Sequence, residues 1–382
     1  MGNGINLTAI LIANGIALVL AAQLLFGNNW RRVKQDPEYR VLKGLIITIA
    51  AACISDPLVF WADGHPGAFF RFIVYAGNTF QYLVNMVIGV AWIYMVSRHL
   101  TGKIDKLQKI FVGVLSTIGV VTLIVNFFVP VVFSVDANSV YQRHALYWLY
   151  TVLGGAFMVD GIVIYAVNRV RGGVFKYFPV IQFIVPQAIG IIVQSLFYGV
   201  SVVYPAAMIA SAGVLCSLKN EALFRDPLTG LYNRTFLNDV ANLIEKKGPS
   251  LSMSVFIMDM NNFKEINDRF GHVEGDEALR RAAQVLKHTV GSLGSVVRYA
   301  GDEFVILLNT KQPEIVEGCA KSIHRAFHEE NLSEDKEYDL SVSVGYCPLS
   351  EAVPTLDAVL GAADRAMYEE KEKFHSGRDA QS

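Results

Sequence analysis

Asp302 and Glu303 sit side by side in "RYAGDEF" (298–304), between two strand-like apolar runs. Two neighbouring carboxylates at a hairpin tip add little to packing and are well placed to grip a cation. A third acid, Asp259, closes the buried-strand pattern "LSMSVFIMD" (251–259). If those strands are neighbours, the carboxylates converge. Hard oxygen ligands at a sheet edge suit Mg2+, which keeps waters and takes substrate phosphates as its other ligands. Close behind Asp259 runs "NNFKEINDRFGHVEGDEAL". There Phe263 can anchor the turn in the core, and Lys264 can reach a phosphate. Asn267 and Asp276 offer an amide and a carboxylate, the pair needed to read a guanine edge. Gly271 and Gly275 let backbone approach closely. Metal, positive charge and positioning are nearly all that phosphoryl transfer needs. Taken singly, each residue is an ordinary solvated cap or turn, and only the joint occurrence in this order carries the chemistry.

The elements that must hold these residues alternate between strand and helix patterns. "GDEALRRAAQVLKHTV" (275–290) is an amphipathic helix with Ala278, Leu279, Ala282, Ala283, Val285 and Leu286 on its apolar face. "GSVVRYAGDEFVILLN" (294–309) is two strands about a tight Gly-Asp turn of type II′. "EIVEGCAKSIHRAFHEE", "DLSVSVGYCPL" and "LDAVLGAADRAMYEEKEKF" follow as helix, strand and helix. This pattern predicts an α/β domain of about 160 residues, an ordinary size.

The rest of the chain is of another kind. Of 382 residues, 53% are hydrophobic and 18% charged, with mean hydropathy +0.37. The long uncharged stretches fall in residues 1–218. Apolar runs at about 5–27, 41–62, 72–97, 110–134, 146–168, 177–199 and 201–218 are read as seven membrane spans, each near the ~20 residues that a spanning helix needs. "YGVSVVYP" (198–205) supplies the turn between the last two. The first run lacks a basic start and reads as an anchor. Arg31, Arg32, Lys34 and Arg40, then Arg98, Lys103, Lys106 and Lys109, then Arg169, Arg171 and Lys176 load alternate loops, against only Arg71 and Arg143 in the others. The N-terminus is then expected outside and the charged half in the cytoplasm. Asn78, Gln81 and Asn85 repeat at helical spacing, Asp56 and Asp160 are intramembrane acids, and Gln187 and Gln194 lie seven apart. They serve either as interhelical hydrogen bonds or as a pocket for a small-molecule ligand. Net charge is −1, which gives no field for nucleic acid. Cys53, Cys216, Cys319 and Cys347 lie far apart without metal spacing and read as reduced thiols.

With these residues in hand, the charged half resembles the diguanylate cyclase (GGDEF) domain over about 221–375. "DPLTGLYNR" (226–234), "DMNNFKEINDRFGHVEGD" (259–276), "RYAGDEF", "SVSVGY" (341–346) and "ADRAMYEEK" (363–371) look like five of its motifs in order. The membrane half is similar, more loosely, to seven-span sensor regions joined to such domains. The resemblance implies a seven-span α-helical bundle (1–218), a short helical linker (219–226) and a GGDEF domain akin to nucleotide cyclase and polymerase palms (227–378). It implies a homodimeric enzyme that condenses two GTP into cyclic di-GMP with release of pyrophosphate. In that scheme Asp259, the Met260 carbonyl and Asp302 bind Mg2+ or Mn2+. Asp302 or Glu303 handles the 3′-hydroxyl, and Lys264 and Lys371 offset the triphosphate. Asn267 and Asp276 bind guanine beside Phe263. Arg298 is either a phosphate contact or a structural brace.

Four positions depart from the family pattern. Ala300 replaces a Gly beside the phosphates, which is costly only if φ is positive there. Asn261 stands where a second acid is usual. Phe374-His375 fills the slot of a Gly-Arg contact, so that triphosphate contact is either missing or met by Arg378. Gly291-Ser292-Leu293-Gly294 lacks the Arg-x-x-Asp of product inhibition. The alternative is therefore a degenerate domain that binds GTP and signals to a partner. A transporter with a soluble appendage, drawn from Asp56 and Asp160, is the third expectation.

Overall fold

The computed structural model describes residues 6–28, 30, 37–170, 179–197, 200–333 and 336–379. The chain divides into two compact units, Met1–Lys219 and Asn220–Ser382.

The first unit contains helices α1 (Leu7–Phe26), α2 (Pro37–Ala62), α3 (Ala68–Thr101), α4 (Lys106–Phe128), α5 (Tyr147–Val170) and α6 (Val180–Leu196), and most of α7 (Val203–Leu223). Between α4 and α5 a small hairpin forms from β1 (Phe133–Val135) and β2 (Tyr141–Arg143). Helices α1 to α5 are long and apolar enough to cross a membrane. Helix α6 has 17 residues, shorter than the notional span at 177–199, and α7 is outside that set of five. Of the seven runs in the sequence, five thus meet the length and hydropathy of a span. The basic residues Arg31, Arg32, Lys34, Arg171 and Lys176 lie outside the described residues, as do Tyr198 and Gly199 of the turn. Large apolar side chains such as Ile16, Val19, Phe128, Val152 and Ile181 face outward, the inverse of a water-soluble surface.

Inside, aromatic side chains pack against glycines. A methyl group on Gly89 of α3 would run into Phe157 of α5, and one on Gly161 of α5 would run into Trp92 of α3. Trp92 stacks in turn on Phe183 of α6, with centroids 4.4 Å apart and planes at 8°. Small residues let the backbones close in, which supplies the packing that lipid cannot.

In the second unit the elements are β3 (Tyr232–Asn233), α8 (Phe236–Lys247), β4 (Ser254–Met260), α9 (Phe263–Phe270), α10 (His272–Val290), β5 (Gly294–Ala300), β6 (Glu303–Leu308), α11 (Pro313–Ser333), β7 (Val342–Pro348) and α12 (Leu356–Asp379). The sheet order is β3-β5-β6-β4-β7, with β3 parallel to β5 and the other pairs antiparallel. Phe256, Met258, Phe304 and Ile306 point to one face, where α10 and α11 close the core with Ala282, Leu286 and Ile323. Helix α12 covers β7 and β4. Burial on both faces explains why "SVFIMDM" and "FVILL" read as continuous rather than alternating apolar runs. Helix α7 stops at Leu223, and residues 224–226 already bond to the sheet unit. The Asn233 N–H donates to the Phe224 carbonyl at 2.7 Å, and the Asp226 N–H to that of Leu231 at 2.8 Å.

Candidate active site

The β4–β6 register sets Asp259 directly opposite Glu303. Asp302 lies next to this pair, and its carbonyl accepts from the Met260 N–H at 3.3 Å. The Met260 side chain is buried in the core, so only its backbone can serve the site. Three carboxyls are thereby gathered at one sheet edge. Asp302 is held above the ordinary carboxylate range, first by burial and then by the Asp259 charge, with its own backbone N–H, Lys371 and Arg298 acting against. Glu303 is raised likewise, by burial first and by Asp259, Asp302 and Asp364 after it. Lys371 offsets part of this charge, with Nζ 2.7 Å from Asp259 Oδ1. Among the described residues no three His, Cys, Asp or Glu side chains close on a point as a ready-made metal cage. Mg2+ does not need one, because it is held by one or two carboxylates with phosphate and water completing its shell. The surplus negative charge and hard oxygens fit such an ion.

The hairpin tip differs in detail from a regular two-residue turn. Gly301 has φ +36°, and the β5–β6 register shifts between Arg298 and Ala300, leaving Tyr299 as an extra residue. This bulge is what brings Ala300, rather than Tyr299, opposite Glu303. Ala300 is exposed and its φ is not positive, so the methyl group in place of the family's Gly causes no backbone strain. Arg298 is a brace in this structure. Its Nη1 donates to Asp226 Oδ1 and Oδ2 at 3.1 and 3.3 Å, and its Nε to the Gly301 carbonyl at 3.0 Å. Asp226 also accepts from the Thr229 N–H and Oγ1–H at 2.8 and 2.7 Å. Burial alone would raise the Asp226 carboxyl; the Thr229 and Arg298 hydrogen bonds outweigh it and hold it below its ordinary range. Nothing local in "DPLTGLYNR" marks Asp226 for this task, because its partner is 72 residues away.

The stretch after Asp259, where the sequence suggests a turn anchored by Phe263, is largely helical. Helix α9 starts after Asn262, which sits in the left-handed region at φ +57°, and Gly271 at φ +84° separates it from α10. Phe263 packs against the domain core, while Lys264 is exposed. Gly275 lies so close to Asn267 that a methyl group there would overlap Asn267 Oδ1. The Asn267 amide and the exposed Asp276 therefore share the α9–α10 corner. Asn267 Oδ1 also pairs with His272 Nδ1 at 3.2 Å. Asn261 is 3% exposed. Its Oδ1 accepts from Ser343 Oγ at 2.8 Å and its Nδ2 donates to Ser341 Oγ at 3.3 Å, which ties β4 to β7. The missing second acid is thus a structural clasp. The side chains of His375 and Arg378 lie outside the described residues.

Residues 223–376 match the family described as Diguanylate cyclase, GGDEF domain. Over 154 residues the chain is 33% identical to an uncharacterized 19.3 kDa protein of Streptomyces ambofaciens, covering 40% of this chain and 81% of that one. The chain belongs to the GGDEF family. It is also 33% identical over 147 residues to diguanylate cyclase DosC of Escherichia coli K12, covering 37% of this chain and 32% of DosC. With diguanylate cyclase DgcZ of the same organism it shares 32% identity over 157 residues, or 38% of this chain and 50% of DgcZ. The match therefore spans about a third to a half of those two cyclases.

Proposed function

We infer that the protein is a membrane-bound diguanylate cyclase that joins two GTP into cyclic di-GMP and two pyrophosphates. The observation that carries this reading is the register of Asp259 against Glu303, with Asp302 beside them and both hairpin carboxyls held above their ordinary range. Asp259, Asp302 and the Met260 carbonyl would hold Mg2+ or Mn2+, which would supply charge neutralisation at the phosphates. Asn267 and Asp276 receive the guanine edge beside the Phe263-anchored turn. Lys264 and Lys371 meet the triphosphate. The 3′-hydroxyl of one GTP attacks the α-phosphorus of the other, its proton passes to Asp302 or Glu303, and pyrophosphate leaves. Each domain holds one GTP, so two chains must face each other as a homodimer. Residues 1–218 form the anchor and sensor, with α6 and α7 completing seven spans and the GGDEF domain in the cytoplasm. The family's Arg-x-x-Asp is absent at 291–294, so no product brake operates there.

Membranes carrying the full chain should convert GTP to cyclic di-GMP in the presence of Mg2+, and Asp302→Ala should abolish turnover while leaving the fold intact. Well-folded, dimeric protein that gives no product would refute the enzyme. The second reading is a GTP-binding module without turnover, and it rests on Phe374-His375 standing in the slot of the family's Gly-Arg contact. Calorimetric GTP binding without product would select it.

A further inference from the structure

Asp56 has no part in the cyclase reading, yet it lies 1% exposed inside the apolar helices. Its Oδ2 accepts from Asn14 Nδ2 of α1 at 3.0 Å, and its Oδ1 from Gln81 Nε2 of α3 at 3.2 Å. The Ser201 hydroxyl is a third neighbour. Tyr204 of α7 donates to the Gln81 carbonyl at 3.3 Å, so the cluster joins α1, α2, α3 and α7. The titratable side chains facing Asp56 are Cys53 on its own helix and Tyr204, both uncharged when protonated. No Lys, Arg or His offsets the carboxylate among the described residues. A lone charge in such surroundings is expensive and marks a functional site.

Asn14 Oδ1 lacks a donor, and on the helix of Asp56 the Cys53 carbonyl loses its usual helical one. Asn14 is itself 1% exposed, and its Oδ1 is buried without a hydrogen-bond partner. The amide cannot turn over to satisfy it, because Nδ2 is also held by the Ile10 carbonyl at 3.0 Å. Pro57, inside α2, has no N–H to give the Cys53 carbonyl one turn before it. One carboxylate, one orphan amide oxygen and one freed carbonyl make a centre with a surplus of hard acceptors and a single negative charge. An anion is repelled there, and a divalent ion would want more than one carboxylate. Freed helix carbonyls beside an intramembrane polar group are how membrane proteins hold small monovalent cations. We propose that Asp56, Asn14 Oδ1 and the Cys53 carbonyl bind one dehydrated Na+ between α1 and α2. Six residues separate Asp56 from the end of α2 at Ala62, about 9 Å of helix.

This proposal does not depend on the cyclase activity. Trp30, Trp61, Trp92 and Trp148 are the four tryptophans and all fall in the first unit, so tryptophan fluorescence reports that unit alone. Full-length protein in lipid nanodiscs is melted in NaCl, KCl and choline chloride at equal ionic strength, each at a series of matched pH values. Sodium is expected to raise the midpoint saturably, by about 3 °C over choline. Asp56→Asn keeps the side-chain size and should give the same midpoint in both salts; Asn14→Ala should lose most of the response. Sodium-NMR line broadening by the unmutated protein, absent with Asp56→Asn, reads binding directly should either variant fold poorly. Equal wild-type midpoints in Na+ and choline, with no line broadening, would overturn the site. So would an Asp56→Asn protein that still responds to Na+, or a midpoint that follows pH in choline and ignores Na+, which assigns the carboxyl to a proton.

Discussion

The Arg298–Asp226 pair permits a quantitative test. Arg298 gives Asp226 two hydrogen bonds and the Gly301 carbonyl a third, and the two side chains are 17% and 16% exposed. A fully exposed pair contributes about 0–1 kcal/mol, and breaking a buried one costs about 3–5 kcal/mol. At this exposure solvent still screens the charges, so Arg298→Met, which keeps the aliphatic stem, should cost about 2 kcal/mol. For a domain of this size that is a fall of about 4–8 °C in melting midpoint. Asp226→Asn should cost a similar amount, and a double-mutant cycle on the 220–382 fragment in urea should return a coupling of about 1 kcal/mol or more. The pH dependence has a definite sign. The Asp226 carboxyl is depressed in the folded state, so the pair's stabilisation is complete above the ordinary carboxylate value near ~4 and is lost as pH falls through the folded value. Arg298→Met should erase that acid limb. Additive single mutants, combined with an increased KM for GTP and unchanged stability, would refute the brace and make Arg298 a nucleotide contact.

At the nucleotide corner, Gly275→Ala should push aside the Asn267 amide. We expect KM for GTP to rise about tenfold, the loss of one good hydrogen bond, with kcat nearly unchanged in steady-state assays. Ala300→Gly should change turnover by less than about twofold and cost about 0.5–1 kcal/mol in urea melts, since Ala300 already has an ordinary φ. Asp302→Asn should lose turnover yet stabilise the domain. The folded-state carboxyl is raised, so its contribution is intact in acid and declines as pH rises through and beyond the ordinary carboxylate range. Thermal melts should therefore favour the Asn variant at about pH 8 and converge near pH 3–4.

Much of the second unit was legible because its strands are buried on both faces and bounded by Gly and Asp. The "SVFIMD" run and the 294–309 hairpin announce themselves, and with them the meeting of Asp259 and Glu303. Helix α9 was harder to see. Eight residues with only Phe263, Ile266 and Phe270 to guide the eye are too few for a periodicity to stand out. The strands β1, β2 and β3 have two or three residues each and leave no repeat at all. The pairing of Lys371 with Asp259, 112 residues apart, and the bulge at Tyr299 depend on tertiary geometry that no local pattern encodes. Polar residues in the apolar half were visible one by one, but their gathering around Asp56 was not, because it needs four helices brought together.

The reciprocal fit of Phe157 over Gly89 and Trp92 over Gly161 has a mechanical consequence. Each ring is a tooth set in the notch of the opposite helix, so α3 and α5 cannot creep past one another by fractions of a turn. A small sliding stroke would drive two rings into backbone at once. Motion is left with two forms, a rigid tilt of the keyed pair or a jump of a full pitch, about 5.4 Å. A push on either helix would thereby be met with a discrete step instead of a graded slide.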